Sequence, residues 1–137
     1  MTLKTDERSA IVDYRLEKAI KTLKEAIDVV NLGYWNLAAN RLYYATYYAS
    51  SALLIHFGSD ASTHKGVIRM IGKNFITNNM LKVEDSRLLG RLFTMRQSGD
   101  YDDLFDWEEF DILPMVPQVE DYIERIKTLI TSQTESV

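Results

Sequence analysis

The chain has 137 residues, 46% of them hydrophobic, which suits one domain with a single core, and we expect one domain over residues 1–137. It contains no cysteine, which excludes disulfide frameworks, thiolate metal sites and cysteine nucleophiles. The formal net charge of −4 excludes a long-range positive field around the whole molecule, so any contact with nucleic acid must be local.

The first two predicted elements are long helices. Apolar residues recur at helical spacing from about Asp6 to Leu32, where Gly33 ends the helix, and again from Tyr34 to Phe57. The periodic residues are Leu16, Ala19, Ile20, Leu23, Ile27 and Val30 in the first helix, and Leu37, Ala38, Leu42, Ala45, Ala49, Ala52 and Leu53 in the second. The small residues of the second helix would let a neighbour approach closely, so we expect it to be central.

Four tyrosines of the second helix form two rows at a spacing of i, i+4: Tyr43 with Tyr47, and Tyr44 with Tyr48. Such a row could stack on nucleobases. Packing in the core, with each hydroxyl hydrogen-bonded at its edge, is the favoured interpretation.

Turn and cap residues predict the next two helices. Ser62 or Thr63 is suited to cap a third helix, from His64 to about residue 76, which is followed by a turn at residues 78–79. A fourth helix begins near Val83 and runs to residue 95 or 96, and Gly99 is expected to terminate it.

The last helix is predicted from a capping box and a proline break. Asp106 and Glu109 have the spacing of a capping box, and Pro114 and Pro117 predict a kink or break near Leu113. From about residue 131 the chain is polar, and we expect this tail to fray. The elements together predict an all-α fold, an antiparallel up-down bundle of four long helices plus a shorter one.

Membrane insertion and export are not indicated by the sequence. No apolar run approaches the roughly 18 to 20 residues of a membrane span, and the N-terminal residues lack an apolar signal core. We expect no contact with membranes and a cytoplasmic protein.

Metal and cofactor motifs are absent from the sequence. Neither His56 nor His64 has a glutamate three residues before it, as helical di-iron sites require. The acids between residues 100 and 106 lack the glycine and the final glutamate of a calcium loop. Phosphate-binding glycine loops and nucleophile elbows are missing too. We therefore predict no metal and no cofactor.

A helical bundle does not need several of its polar residues for packing, and these are the candidate site residues. They are Arg41, Tyr44, His64, Arg96, Asp100 and Tyr101. Structural explanations stay open for two of them. Arg96 lies near a helix C-terminus, where a cation is favoured by about 0.3–1 kcal/mol, and His64 near a helix N-terminus could be hydrogen-bonded scaffolding.

Three segments in order resemble the HEPN (higher eukaryotes and prokaryotes nucleotide-binding) superfamily, and more narrowly its small stand-alone prokaryotic branch. They are NRLYYATYYASSALL from Asn40, THKGV from Thr63 and RQSGDY from Arg96, within a resemblance from about Leu16 to Leu129. The resemblance implies a bundle of four to five helices that forms a homodimer. It also implies a small nucleotidyltransferase partner, often in a toxin–antitoxin pair, and in many members metal-independent RNA cleavage.

The cleaving members of that superfamily carry an arginine followed after four to six residues by a histidine. Arg96 matches the arginine, but Tyr101 stands in the histidine's place, and no histidine follows residue 64. A tyrosine with a pKa near 10 is a poor base at neutral pH. Asp100 could act as a base if Arg96 offset its charge, and His64 could supply an imidazole if the fold brought it near Arg96.

Three functional hypotheses follow. The first is a subunit that binds a nucleotide or RNA, with Arg96 on phosphate, and that partners a nucleotidyltransferase for which Tyr101 is a candidate acceptor. The second is a weak metal-independent ribonuclease that uses Arg96 with Asp100 or His64. The third is a scaffold or dimerisation module in which Arg96 and Asp100 form a buried ion pair. We favour the first hypothesis.

Overall fold

The structure is a computed structural model that describes residues 5–59, 63–101 and 106–135, with side chains within 6–59, 63–98 and 106–132. Its helices are α1 (Thr5–Asn31), α2 (Trp35–His56), α3 (His64–Ile71), α4 (Val83–Tyr101), α5 (Glu109–Ile112) and α6 (Met115–Glu135). The third helix continues as a π-helical turn over Gly72–Ile76. The predicted all-α bundle of four long helices and a shorter one is confirmed, and α5 adds a single turn.

Helix α2 is central, as its composition indicated, because it packs against all five other helices. Its alanines at positions 38, 45, 49 and 52 are fully buried. Helices α1 and α2 run antiparallel, since Lys18 lies at Tyr48 and Glu25 lies at Arg41. Two residues of the predicted apolar stripes are instead exposed, Ile20 by 45% and Leu37 by 47%, because each points away from the core.

Three segments end in the same left-handed cap. After α1, α2 and the π turn, Gly33, Gly58 and Asn79 have φ values of 78°, 84° and 60°. At each end the amide of the following residue donates five residues back, as from Tyr34 to the Val29 carbonyl at 3.0 Å, which satisfies a terminal carbonyl. Glycine and asparagine tolerate this backbone best, so the predicted stop at Gly33 is confirmed with its physical reason.

The helix ends of the second half differ from the prediction in three places. Helix α4 runs past Gly99 to residue 101, because a glycine inside a helix costs only about 1 kcal/mol relative to alanine and does not by itself end it. The capping box was predicted at Asp106 and Glu109, but it is formed two residues later, by Glu108 and Asp111. The Asp106 carboxylate instead accepts a hydrogen bond from the Asn36 side chain. Helix α6 continues to residue 135, past residue 131, where the prediction began the polar tail.

The proline break is confirmed. Helix α5 ends at Ile112 and α6 begins at Met115, and Pro117 lies in the first turn of α6, where no amide hydrogen is needed. The predicted N-cap is also confirmed, since the Thr63 hydroxyl accepts from the Gly66 amide at 2.9 Å.

A buried polar layer joins three of the long helices. The Asp85 side chain, 2% exposed, pairs with Arg125 of α6 and accepts from the Lys82 amide at 2.9 Å, which caps the start of α4. The Tyr122 hydroxyl lies 2.6 Å from Ser50 Oγ of α2. Burial raises the pKa of Tyr122 well above its usual value, so this phenol stays protonated. These contacts tie α2, α4 and α6 together.

Candidate functional site

The tyrosine rows of α2 form one aromatic surface that α3 and α4 cover in part. Tyr43 is 1% exposed, whereas Tyr44, Tyr47 and Tyr48 are half-buried. The Tyr43 and Tyr47 rings stack with centroids 6.2 Å apart, and the Tyr44 and Tyr48 rings lie 6.0 Å apart. Core packing therefore accounts for Tyr43, while the other three present part of a ring toward solvent.

His64 lies on this surface because the Thr63 cap begins α3 beside α2. Its imidazole stacks on Tyr47 at a centroid distance of 4.4 Å and an interplanar angle of 15°. Its Nδ1 is hydrogen-bonded to the Tyr43 hydroxyl. Burial, and then the nearby Arg96 cation, lower the pKa of His64, so the ring is neutral at pH 7. Burial raises the pKa of Tyr43 well above its usual range.

Arg96 of α4 contacts the same tyrosines. Its Nη2 donates to the Tyr44 hydroxyl at 3.0 Å. Its guanidinium carbon lies 5.6 Å from the Tyr43 ring centroid and 5.4 Å from that of Tyr44, within cation–π range. The fold thus brings Arg96 and His64 against one tyrosine pair, which the sequence alone could not establish.

Arg41 reaches Tyr44 from within α2 itself. Its guanidinium carbon lies 5.5 Å from the Tyr44 ring centroid. Asn40 Oδ1 accepts from Arg41 Nη2 and Nε at 2.7 and 3.0 Å, and Glu25 of α1 lies 3.4 Å from its Nη1. The Tyr44 ring is therefore in contact range of two guanidinium groups, each oriented by hydrogen bonds.

Trp107, which follows α4 in the chain, is hydrogen-bonded to the residue before Arg96. The Trp107 indole donates to the Met95 carbonyl at 2.9 Å, and the Trp107 amide donates to Asn36 Oδ1 at 2.7 Å. Asp100 and Tyr101 lie in the last turn of α4, but their side chains lie outside the described residues, so their roles stay predictions.

Four of the six predicted site residues are therefore neighbours: Arg41, Tyr44, His64 and Arg96. Sequence reasoning missed the part played by Tyr43 and Tyr47, which it assigned to packing. These two share the row that His64 covers, and the signal for them was the spacing of i, i+4 on the helix that also carries Arg41.

Among the side chains that the structure describes, within residues 6–59, 63–98 and 106–132, no three histidine or acidic groups lie together so that they could hold a metal ion. Over residues 5–59, 63–101 and 106–135, no helix has the length and apolar character required to cross a membrane. The chemistry that the cluster offers is two guanidinium cations, a neutral imidazole, phenol hydroxyls and partly exposed aromatic faces. These groups bind anions and planar rings.

The chain is similar to one protein family and to several curated proteins. The model of a family described as the HEPN domain matches residues 12–132. A "UPF0332 protein" of Thermotoga maritima is 30% identical over 125 residues, which cover 91% of this chain and 95% of that protein. A Methanocaldococcus jannaschii protein named "Putative toxin MJ0142" is 34% identical over 87 residues, covering 64% of this chain and 59% of that protein. An Archaeoglobus fulgidus "UPF0332 protein" is 30% identical over 90 residues, covering 66% of this chain and 71% of that protein.

Proposed function

Because the chain belongs to the HEPN domain family, we propose that it is a subunit that binds a nucleotide or RNA at the Arg96–Tyr44 cluster. The observation that carries the proposal is the pair of guanidinium groups, from Arg41 and Arg96, within 5.5 Å of the Tyr44 ring centroid. Two oriented cations suit a phosphate, and the half-buried rings beside them suit a base.

Arginine suits this role better than lysine would. A guanidinium presents several hydrogen-bond donors in one plane and can bind two phosphate oxygens at once. Arg96 uses Nη2 on the Tyr44 hydroxyl, and this bond fixes the plane of its guanidinium before a ligand arrives. Preorganisation of this kind reduces the ordering cost of binding.

A second candidate function is metal-independent RNA cleavage with His64 as the base. The observation in its favour is that His64 lies against the same tyrosines as Arg96 and has a lowered pKa, so its imidazole is neutral. His64 can take a proton at Nε2 only while Nδ1 carries the ring hydrogen. Burial raises the pKa of Tyr43, so its hydroxyl keeps its proton, and we assign it as the donor to Nδ1; the ring hydrogen then lies on Nε2, which donates to an anion. We therefore rank binding above cleavage.

The partnership with a small nucleotidyltransferase, in a toxin–antitoxin-like pair, is part of the same proposal, as are a homodimer and a cytoplasmic location. Its support is the family and the name of a relative, "Putative toxin MJ0142". Tyr101, at the end of α4, is the residue that we propose as the acceptor of a transferred nucleotide.

Titration with ATP, GTP and a short RNA tests the binding proposal. We expect Arg96→Ala to weaken binding at least about tenfold, since charge-assisted hydrogen bonds contribute about 1.5–3 kcal/mol. Arg87→Ala, an exposed arginine on the same helix, is the matched control and should bind like the wild type. If the wild type binds none of the three, and Arg96→Ala lowers the melting temperature strongly, the scaffold hypothesis replaces this one.

Incubation with the cognate transferase and ATP, followed by mass spectrometry, tests the acceptor. We expect one added nucleotidyl group that is lost in Tyr101→Phe and kept in Tyr34→Phe, which changes an exposed tyrosine away from the cluster. An unmodified Tyr101, with a transferase that is active on another target, would show that the acceptor is wrong.

Cleavage of unstructured RNA in the presence of a chelator separates the two candidate functions. A ribonuclease of the kind described would lose activity in Arg96→Ala and in His64→Gln but keep it in His56→Gln. Cleavage that survives Arg96→Ala would indicate a contaminating nuclease.

A further inference from the structure

A long groove runs between α1 and α2 on the side of the molecule that carries Arg41. Its volume is about 720 Å³, and a second recess of about 430 Å³ shares three of its lining residues. The shared residues are Tyr14, Lys18 and Tyr48. We call these two recesses together the α1–α2 groove.

The α1–α2 groove is basic although the chain as a whole is acidic. Five cationic side chains line it, against the two carboxylates of Glu17 and Glu25, while the net charge of the chain is −4. The cations are Arg15, Lys18, Lys21, Lys24 and Arg41. Seven acidic residues lie instead between residues 100 and 111, where no lysine or arginine occurs. Because cations outnumber carboxylates along its lining, the groove is a local site for polyanions.

Aromatic rings alternate with these cations. Lys18 Nζ lies 4.7 Å from the Tyr48 ring centroid and 5.8 Å from that of Tyr14, so one ammonium bridges two rings. Tyr14 is 57% exposed. A basic groove with exposed aromatic faces is the arrangement that binds single-stranded nucleic acids, since every base can stack.

The α1–α2 groove adjoins the Arg96–Tyr44 cluster at Arg41. Arg41 lines the groove, and its guanidinium carbon also lies 5.5 Å from the Tyr44 ring centroid. The cations of α1 from Arg15 to Lys24 extend over nine residues, or about 14 Å at 1.5 Å per residue. More than one backbone phosphate of a single strand can lie along a row of cations of this length. A nucleoside monophosphate has one phosphate and would contact only part of the row.

We propose that the α1–α2 groove holds the backbone of single-stranded RNA whose end or loop enters the Arg96–Tyr44 cluster. The proposal rests on the proposed binding function and refines it, because it makes a polynucleotide, not a mononucleotide, the ligand. Lysines at 21 and 24 would contact phosphates, and the Tyr14 and Tyr48 rings would stack on bases.

Fluorescence anisotropy with a labelled 12-nucleotide single-stranded RNA, across a salt series, tests the groove. The variant Lys21→Ala/Lys24→Ala removes two exposed groove lysines, and Lys73→Ala/Arg87→Ala removes two exposed cations that line neither recess. We expect the first variant to lower RNA affinity at least about tenfold and the slope of log affinity against log salt by about 1.4. The control should match the wild type. Tyr14→Ala should weaken RNA binding with little change in the salt slope.

ATP binding, measured on the same proteins, separates this proposal from the proposed function. The groove variant should bind ATP like the wild type, whereas Arg96→Ala should lose both ligands. An unchanged RNA affinity and salt slope in the groove variant would overturn the groove proposal and leave the cluster in place. If the wild type binds neither RNA nor ATP, both the groove proposal and the proposed function are overturned. A changed molecular mass of the groove variant in light scattering would identify the groove as a contact between copies of this chain and would also overturn it.

Discussion

Two polar clusters in this bundle are built from similar residues and differ in where they face. The first joins Asp85 to Arg125 and Tyr122 to Ser50 between α2, α4 and α6. The second places Arg96 and His64 against the tyrosines of α2. Each cluster has an arginine and a buried tyrosine whose pKa is raised by burial.

The two clusters differ in exposure. In the first cluster a carboxylate offsets the guanidinium, Asp85 also caps a helix, and Asp85 and Tyr122 are 1% and 0% exposed. In the second cluster, Tyr44, Tyr47, His64 and Arg96 are each only half-buried. The first arrangement holds helices together, whereas the second keeps donors and ring faces within reach of a ligand. The two clusters should therefore respond oppositely to mutation, one in stability and the other in binding.

The largest effect is expected for Asp85→Ala. The change leaves the Arg125 guanidinium without its carboxylate and the Lys82 amide without its cap, so we expect a loss of about 3–5 kcal/mol in the free energy of unfolding. Urea unfolding measures it. Glu124→Ala is the control, because its pair with Lys127 is exposed and should contribute less than about 1 kcal/mol. A loss from Asp85→Ala no larger than that of the control would mean that the first cluster does not hold the helices together.

Much of this contrast could not be predicted from the sequence. Helix periodicity, the stop at Gly33 and the Thr63 cap were predictable because they depend on neighbours within a few residues of each other. The Asp85–Arg125 pair spans 40 residues and was not anticipated, since the helix dipole alone already favours an acidic residue in the first turn of a helix. Local spacing carries no information on which distant side chain meets it.

The candidate site, too, could be predicted only in part from the sequence. Arg41, Tyr44, His64 and Arg96 were singled out because a bundle does not need them for packing, and the structure brings all four together. Tyr43 was read as a core residue, and it is one, yet its hydroxyl also meets His64. A side chain that serves both packing and the site gives no separate signal in the sequence.

An intermediate effect is expected when single hydroxyl groups are removed. Tyr122→Phe takes away a buried hydrogen bond to Ser50 and should lower the free energy of unfolding by about 0.5–1.5 kcal/mol. Tyr44→Phe removes the acceptor of Arg96 in a half-buried place and should change stability less but RNA affinity more. Chemical unfolding and anisotropy on both variants test this. Equal losses of stability, with RNA affinity unchanged in both, would remove the distinction between the clusters.

The smallest effect is expected from a change of pH, which should move the melting temperature and the RNA affinity in opposite directions. The pKa of His64 in the folded protein lies below the unfolded value of about 6.5, owing to burial and Arg96, so protonation favours unfolding. The stability that a neutral His64 contributes is thus complete above about pH 6.5 and is lost as the pH falls through the lower folded pKa. Protonation also adds a cation beside Arg96, so a bound phosphodiester should stabilise the imidazolium and RNA affinity should rise over the same interval. Melting temperature and anisotropy from pH 8 to pH 5.5 measure both trends.

His64→Gln should reduce both trends. The control is His56→Gln, which removes a histidine whose pKa is lowered by burial and Arg8, and it should reduce only the fall in melting temperature. An RNA affinity that stays flat with pH in the wild type would mean that His64 supports the fold without contacting the ligand.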